Sequence, residues 1–163
     1  MYSPNFKHAH PLAQRLMDED FYYSPIEESG PFGNDDGADT FAGFTQWRSA
    51  NPQENPLVYL EQQLRDWNYP PFDLHQQDPA QIQQFLQQQE MGLTFLIGMD
   101  AAVIALAFGQ LYLEGYIADQ VLELAKASID RQLHPELINL WDETYRPTRQ
   151  EQLSKMLSVL NRL

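Results

Sequence analysis

Leu93-Thr-Phe-Leu-Ile-Gly-Met-Asp-Ala-Ala-Val-Ile-Ala-Leu-Ala-Phe108 is the most apolar stretch of this chain, and its reading decides the fold. Gly98 and Asp100 interrupt it, and it is short for a comfortable bilayer crossing. It therefore reads as a buried core element. From Ala101 to Phe108 every side of a helix would be apolar, which is the pattern of a helix surrounded by others. The small alanines would let those neighbours approach closely. Gly115 is the natural stop. Asp100 reads as the N-cap of this helix, because Asp is a favoured cap residue. A second reading stands beside it: buried in mid-helix, Asp100 would have a raised pKa, a condition suited to a general acid.

Outward from this core, helical signals dominate after Pro52. Asn55-Pro56 is an N-cap followed by proline at the first helical position. Leu57, Leu60, Leu64 and Trp67 then share one face, and Pro70-Pro71 ends the segment. Asp78-Pro79 repeats the start signal, with Gln81 placed to complete a capping box. Ile82, Phe85 and Leu86 give that helix its apolar stripe. Eight glutamines fall within residues 76–89, and the apolar residues between them favour an ordinary helix with a polar outer face over a low-complexity tract. Beyond Gly115, the residues Ile117, Val121, Leu124, Ser128 and Leu133 line a further amphipathic helix. His134-Pro135 breaks it, and residues 135–141 read as a short helix. Thr148-Arg-Gln-Glu151 has the capping-box pattern and precedes the stripe Leu153, Met156, Leu157, Leu160 and Leu163.

The first fifty residues differ. Residues 11–18 suit a short helix, and 21–34 read as loop, with Pro25, Gly30, Pro31 and Gly33 as breakers. A helix restarts at Asp35 or Asp36 and carries Phe41, Phe44 and Trp47. No strand run and no fixed-period repeat is present. The expectation is an all-α single domain over residues 1–163, of six or seven helices. An acidic, aromatic-rich part at 1–50 would pack on a helical body at 54–163, since Phe21, Tyr22, Tyr23 and Phe32 are costly to leave in water.

Charge is the second strong signal. Residues 16–47 contain no Lys or Arg but eight carboxylates: Asp18, Glu19, Asp20, Glu27, Glu28, Asp35, Asp36 and Asp39. The whole chain carries a formal net charge of -13, which would repel nucleic acid and anionic lipid and attract a basic protein or a cation. Cysteine is absent, so disulfides, thiolate metal sites and cysteine nucleophiles are excluded, in keeping with a reducing cytoplasm. The N-terminal residues Met-Tyr-Ser-Pro-Asn-Phe-Lys-His lack the pattern of a signal peptide.

Hard oxygen ligands at Asp35, Asp36 and Asp39 would suit calcium or magnesium. The EF-hand spacing fails, because Ala38 occupies the fifth position and no glycine the sixth. Capping of a helix N-terminus by Asp35 or Asp36 accounts for the same residues. His8 and His10 form a His-x-His pair without a third zinc ligand at recognisable spacing. Nucleophile and phosphate-loop motifs are missing. No catalytic residue, metal ligand or cofactor is therefore assigned.

Three segments together resemble an uncharacterised bacterial family called YfeS-like: His10-Pro11-Leu12, Asp20-Phe21-Tyr22-Tyr23, and Pro31-Phe32-Gly33-Asn34-Asp35-Asp36-Gly37-Ala38-Asp39-Thr40. The Pro-Phe-Gly-Asn-Asp-Asp core is also similar to a Gly-Pro-Phe-Asp-Asn-Asp-Asp stretch of DUF4259-type proteins, with Gly33 standing where that family has Asp. The resemblance covers about the first forty-five residues and implies a small bacterial protein of no established activity. It suggests the neighbourhoods of toxin and immunity genes.

The resulting expectation is a non-enzymatic, cytoplasmic interaction module that binds a basic protein and neither nucleic acid nor membrane. Asp18, Asp20, Tyr22, Tyr23, Asp35, Asp36 and Asp39 are its candidate partner-binding residues. The alternative is a metal-binding protein or enzyme using Asp35, Asp36 and Asp39.

Overall fold

The computed structural model describes residues 3–163; Met1 and Tyr2 of the N-terminal stretch lie outside the described residues. Among the described residues eight α-helices follow one another: α1 (Pro11–Leu16), α2 (Asp35–Ala50), α3 (Pro56–Asp66), α4 (Pro79–Gln88), α5 (Gly92–Glu114), α6 (Asp119–Leu133), α7 (Pro135–Ile138) and α8 (Arg146–Asn161). Single 3-10 turns lie at Phe6–His8 and Asp20–Tyr22, and no strand occurs among the described residues. The all-α expectation holds, with eight helices among the described residues against the six or seven expected, and the short helix expected at 135–141 is the four-residue α7.

Helix α5 is the axis. It packs chiefly against α2 and α6, α8 lies on α6, and α1, α3 and α4 close the remaining sides. Val103, Leu106, Phe108 and Leu111 are fully buried, each contributing roughly 1.5–3 kcal/mol through transfer from water. Ala102, Ala105 and Ala107 are equally buried, and their small side chains allow the close approach of flanking helices.

The sequence reading of this helix needs two corrections. First, α5 begins at Gly92 and runs for 23 residues, so by length and composition it could cross a membrane. In this fold 72% of its apolar window is buried inside the protein, as in a core helix. Second, Asp100 is no cap. It lies within α5, fully buried, and forms a two-point ion pair with Arg131 of α6. Gln132 Nε2 donates to the same carboxylate at 2.6 Å. Cap preference is a local tendency, whereas a cation supplied from α6 makes a buried mid-helix carboxylate tenable. The α5 N-terminus has no side-chain cap at all.

Other boundaries follow local chemistry. Asn55 and Asp78 cap α3 and α4 as expected, accepting from Leu57 N and Ala80 N at 3.0 Å each. The Asp78 N–H is taken by Gln76 Oε1 at 3.0 Å rather than by Gln81. Helix α5 stops at Gly115, whose φ of +67° places it in the left-handed region open to glycine. The ring of His10 packs directly on that glycine, leaving no room for a Cβ. Helix α8 begins at Arg146, ahead of the Thr148 capping box, after an Asp142 turn that accepts from Thr144 N at 2.9 Å.

Two outcomes follow for stability. Asp100→Ala strands a buried guanidinium and should cost about 3–5 kcal/mol in urea unfolding. Asp100→Leu combined with Arg131→Met should recover much of that loss; equal destabilisation by both variants would contradict the pairing argument. Glu114 gives a pH test. Burial alone would raise its pKa, but hydrogen bonds from Arg48 and Gln110, with the Arg48 charge, outweigh burial and hold it below the usual 4.5. Folding therefore favours the ionised form. That contribution is complete above the usual value and is lost as pH falls through the lower folded one. The stability advantage of wild type over Glu114→Gln should shrink between about pH 7 and about pH 3.

Candidate functional site

The acidic loop between α1 and α2 is held by its aromatic residues. Tyr22 and Phe32 are each only 2% exposed. Tyr22 stacks on Phe21 and meets Phe108 of α5, while Phe32 packs on Phe41. Tyr23 is half-buried and donates its hydroxyl to Met17 O at 2.9 Å. At Gly33 the chain passes so near Glu27 that a Cβ would meet its carbonyl oxygen at 2.0 Å. That close approach explains why glycine stands there. Asn34, rather than Asp35 or Asp36, caps α2, accepting from Gly37 N at 2.7 Å.

Under this loop runs a chain of polar groups, half-buried at Glu27 and Tyr145 and buried from Ser29 and Arg149 inward. The Tyr145 hydroxyl donates to Glu27 Oε1 at 2.6 Å and lies 2.8 Å from Ser29 Oγ. Arg149 Nη1 donates to Ser29 Oγ at 3.1 Å, and Arg149 Nη2 to Gln132 Oε1 at 3.0 Å. Gln132 in turn donates to Asp100. The loop is thus tied through α8 and α6 to the buried carboxylate of α5. Burial pushes the Tyr145 hydroxyl pKa up, and its bond to Glu27 adds to this while the bonds to Ser29 oppose it.

Arg131 and Arg149 differ in how their charges are met. Arg131 has a carboxylate, the carbonyls of Leu74 and Gln76 at 2.9 Å each, and the Phe72 ring at 5.1 Å. Arg149 is 5% exposed but makes no ion pair among the described residues. Its hydrogen-bond partners are neutral, and its guanidinium lies 4.0 Å from the Trp141 ring centroid. Burial pushes its pKa down to about 10, against the pull of Tyr145, Glu28 and Asp100, so it remains a cation at neutral pH. Arg149 Nε and Trp141 Nε1 are buried without a hydrogen-bond partner.

Both residues line a cavity of about 350 Å³. Ser29, Gln132 and Thr94 add polar groups to its lining, and Ile97, Ala101, Ile104 and Leu153 form an apolar wall. Glu28, Asp35 and Asp36 also line it, the first two exposed to solvent.

The sequence-predicted residues do not converge on one point. Asp35 and Asp36 meet at this cavity, whereas Asp18 and Asp20 line a separate depression with Glu19, Glu151 and Lys155. Asp39 is exposed on α2, and Asp36 accepts a hydrogen bond from the Tyr69 hydroxyl. Tyr22 belongs to the core, so its ring is not presented to a partner: two aromatic neighbours make burial the favourable place for it. Among the described residues no three His, Asp or Glu side chains are arranged to hold a metal ion. His10 instead caps α1, its Nδ1 accepting from Leu12 N at 3.1 Å, and His8 is exposed.

Arg149 was not singled out in the sequence, though a signal exists. Extending the α8 stripe Leu153, Met156, Leu160 back by four residues lands on Arg149, a charge on a buried face. Comparison with protein-family models, curated proteins and solved structures finds no match for this chain.

Tyr145→Phe removes the hydroxyl that joins Glu27 to Ser29. The expected cost is about 1–3 kcal/mol, with faster limited proteolysis within residues 24–33. An unchanged cleavage rate there would show that the hydroxyl does not hold the loop.

Proposed function

We propose that the protein is a non-enzymatic binding module whose acidic face docks a basic partner protein. In the sharper form of this reading, the partner is a cationic toxin or nuclease that the module neutralises in a bacterial cytoplasm. The observation that carries the reading is that these charges have almost no internal answer. Of the eight carboxylates within residues 18–39, Glu19 alone makes an ion pair among the described residues, with Lys155 at 2.8 Å. Asp18, Asp20, Glu28, Asp35 and Asp39 are exposed.

Acids retained only as helix caps would accept backbone N–H groups, yet Asn34 fills that role for α2. Their mutual repulsion is a cost to the folded chain that a cationic surface would relieve. Complementary charge would also speed encounter, with a few desolvated contacts holding the complex. Tyr23, half-buried and close enough to Asp18 for that charge to raise its pKa after burial has done so, is the aromatic contact this reading retains. Asp36, tied to Tyr69, contributes field more than direct contact.

The test compares wild type with a variant in which Asp18, Asp20, Asp35 and Asp39 are all replaced by Asn. Immobilised wild type should retain a basic protein from bacterial extract at low salt and release it as salt rises. The variant should retain far less of that protein. Equal retention by both would defeat the reading.

A further inference from the structure

Arg149 presents an unanswered requirement. A guanidinium that is 5% exposed has lost most of its hydration, and the protein supplies only neutral acceptors, Ser29 Oγ and Gln132 Oε1. Buried cations are ordinarily paired with an anion. Arg149 Nε and Trp141 Nε1 also lack acceptors, but both atoms are closed off from solvent, so the Nη groups of Arg149 are the donors left to a ligand. Arg149 and Trp141 line a cavity of about 350 Å³, within the size range of sites for small ligands.

We propose that this cavity binds an α-amino acid with an aliphatic side chain, its carboxylate paired with Arg149 and its ammonium group facing Asp35 and Asp36. Each part of the ligand answers a feature of the lining. A carboxylate supplies the missing anion and can accept from donors at two oxygens, as guanidinium–carboxylate pairs do. A simple anion such as phosphate is disfavoured, because Glu28, Asp35 and Asp36 would repel it. A simple amine is disfavoured by Arg149. A zwitterion satisfies both signs at once. Ile97, Ala101, Ile104 and Leu153 offer an apolar wall for a branched aliphatic group. This inference shares Asp35 and Asp36 with the partner reading but rests on the buried Arg149 and the cavity, which that reading does not use.

The probes are L-leucine, 4-methylpentanoate, which lacks the amine, and 3-methylbutylamine, which lacks the carboxylate. Each is added to the full chain in thermal unfolding and isothermal titration, up to about 10 mM so that millimolar affinity is covered. L-Leucine should raise the unfolding midpoint saturably and the two analogues should not. Asp35→Asn, at an exposed position, should weaken leucine binding by about tenfold without loss of fold. Ala101→Phe, which fills the cavity from α5, should abolish it, and circular dichroism shows whether that variant is folded. Arg149→Gln tests the anion pair where it folds, and Asp35→Asn keeps the test open where it does not. No saturable response to leucine overturns the proposal. So does an equal response to either analogue, or leucine binding that survives in folded Ala101→Phe.

Discussion

A carboxylate in the middle of the most apolar helix constrains the whole molecule. Asp100 cannot reach water, so an ionised carboxylate there must be met by a cation and by further hydrogen-bond donors. Arg131 meets it from α6, and its remaining N–H groups fasten the carbonyls of Leu74 and Gln76. The connection between α3 and α4 is thereby held against the core. Gln132 carries the same network to Arg149, and Arg149 carries it to Ser29 in the acidic loop. Apolar packing supplies most of the stability, but it is indifferent to rotation of one helix against another by a few degrees. The polar chain is directional. It joins α5, α6 and α8 to one another and to the loop through bonds of fixed geometry.

How much of this was legible depends on whether the cause is local. Asn55 and Asp78, each followed by proline, mark helix starts correctly because a cap and the helix it begins are neighbours in sequence. The stop at Gly115 is legible for the same reason. Asp100 was misread because nothing near it in sequence reveals a cation 31 positions away. The length of α5 was misread with it, since an assumed cap at Asp100 removes the turns that precede it. Arg149 lies at a helical interval from Leu153 and Met156, but a charge on an apolar stripe reads as the end of the stripe until its burial is seen.

The aromatic-rich loop shows the same division. Its docking on the helices was expected from Phe21, Tyr22 and Phe32, whose exposure would be unfavourable. Which rings enter the core was not fixed by that argument. Tyr22 and Phe32 do, and Tyr23 stays half-buried, its hydroxyl held by Met17. Among the candidate residues, Tyr22 therefore changes role from contact to core, while the acids around it stay at the surface.

The two unmet charges of the molecule are physically distinct. Carboxylates on the acidic face are hydrated, and salt screens them, so what they lack is only a favourable field. Arg149 is dehydrated, and its hydrogen-bond acceptors are neutral, so what it lacks is an anion in contact. A macromolecular surface satisfies the first condition without entering the fold. Only something small enough to occupy the cavity satisfies the second. A ligand there would add an anion between Arg149 and the loop that Ser29 already ties to it. Occupancy would therefore stiffen residues 28–36, which carry Asp35 and Asp36 on the solvent side. Through that shared loop, a small zwitterion within and a basic partner without would be thermodynamically linked, each altering the affinity for the other by the same factor.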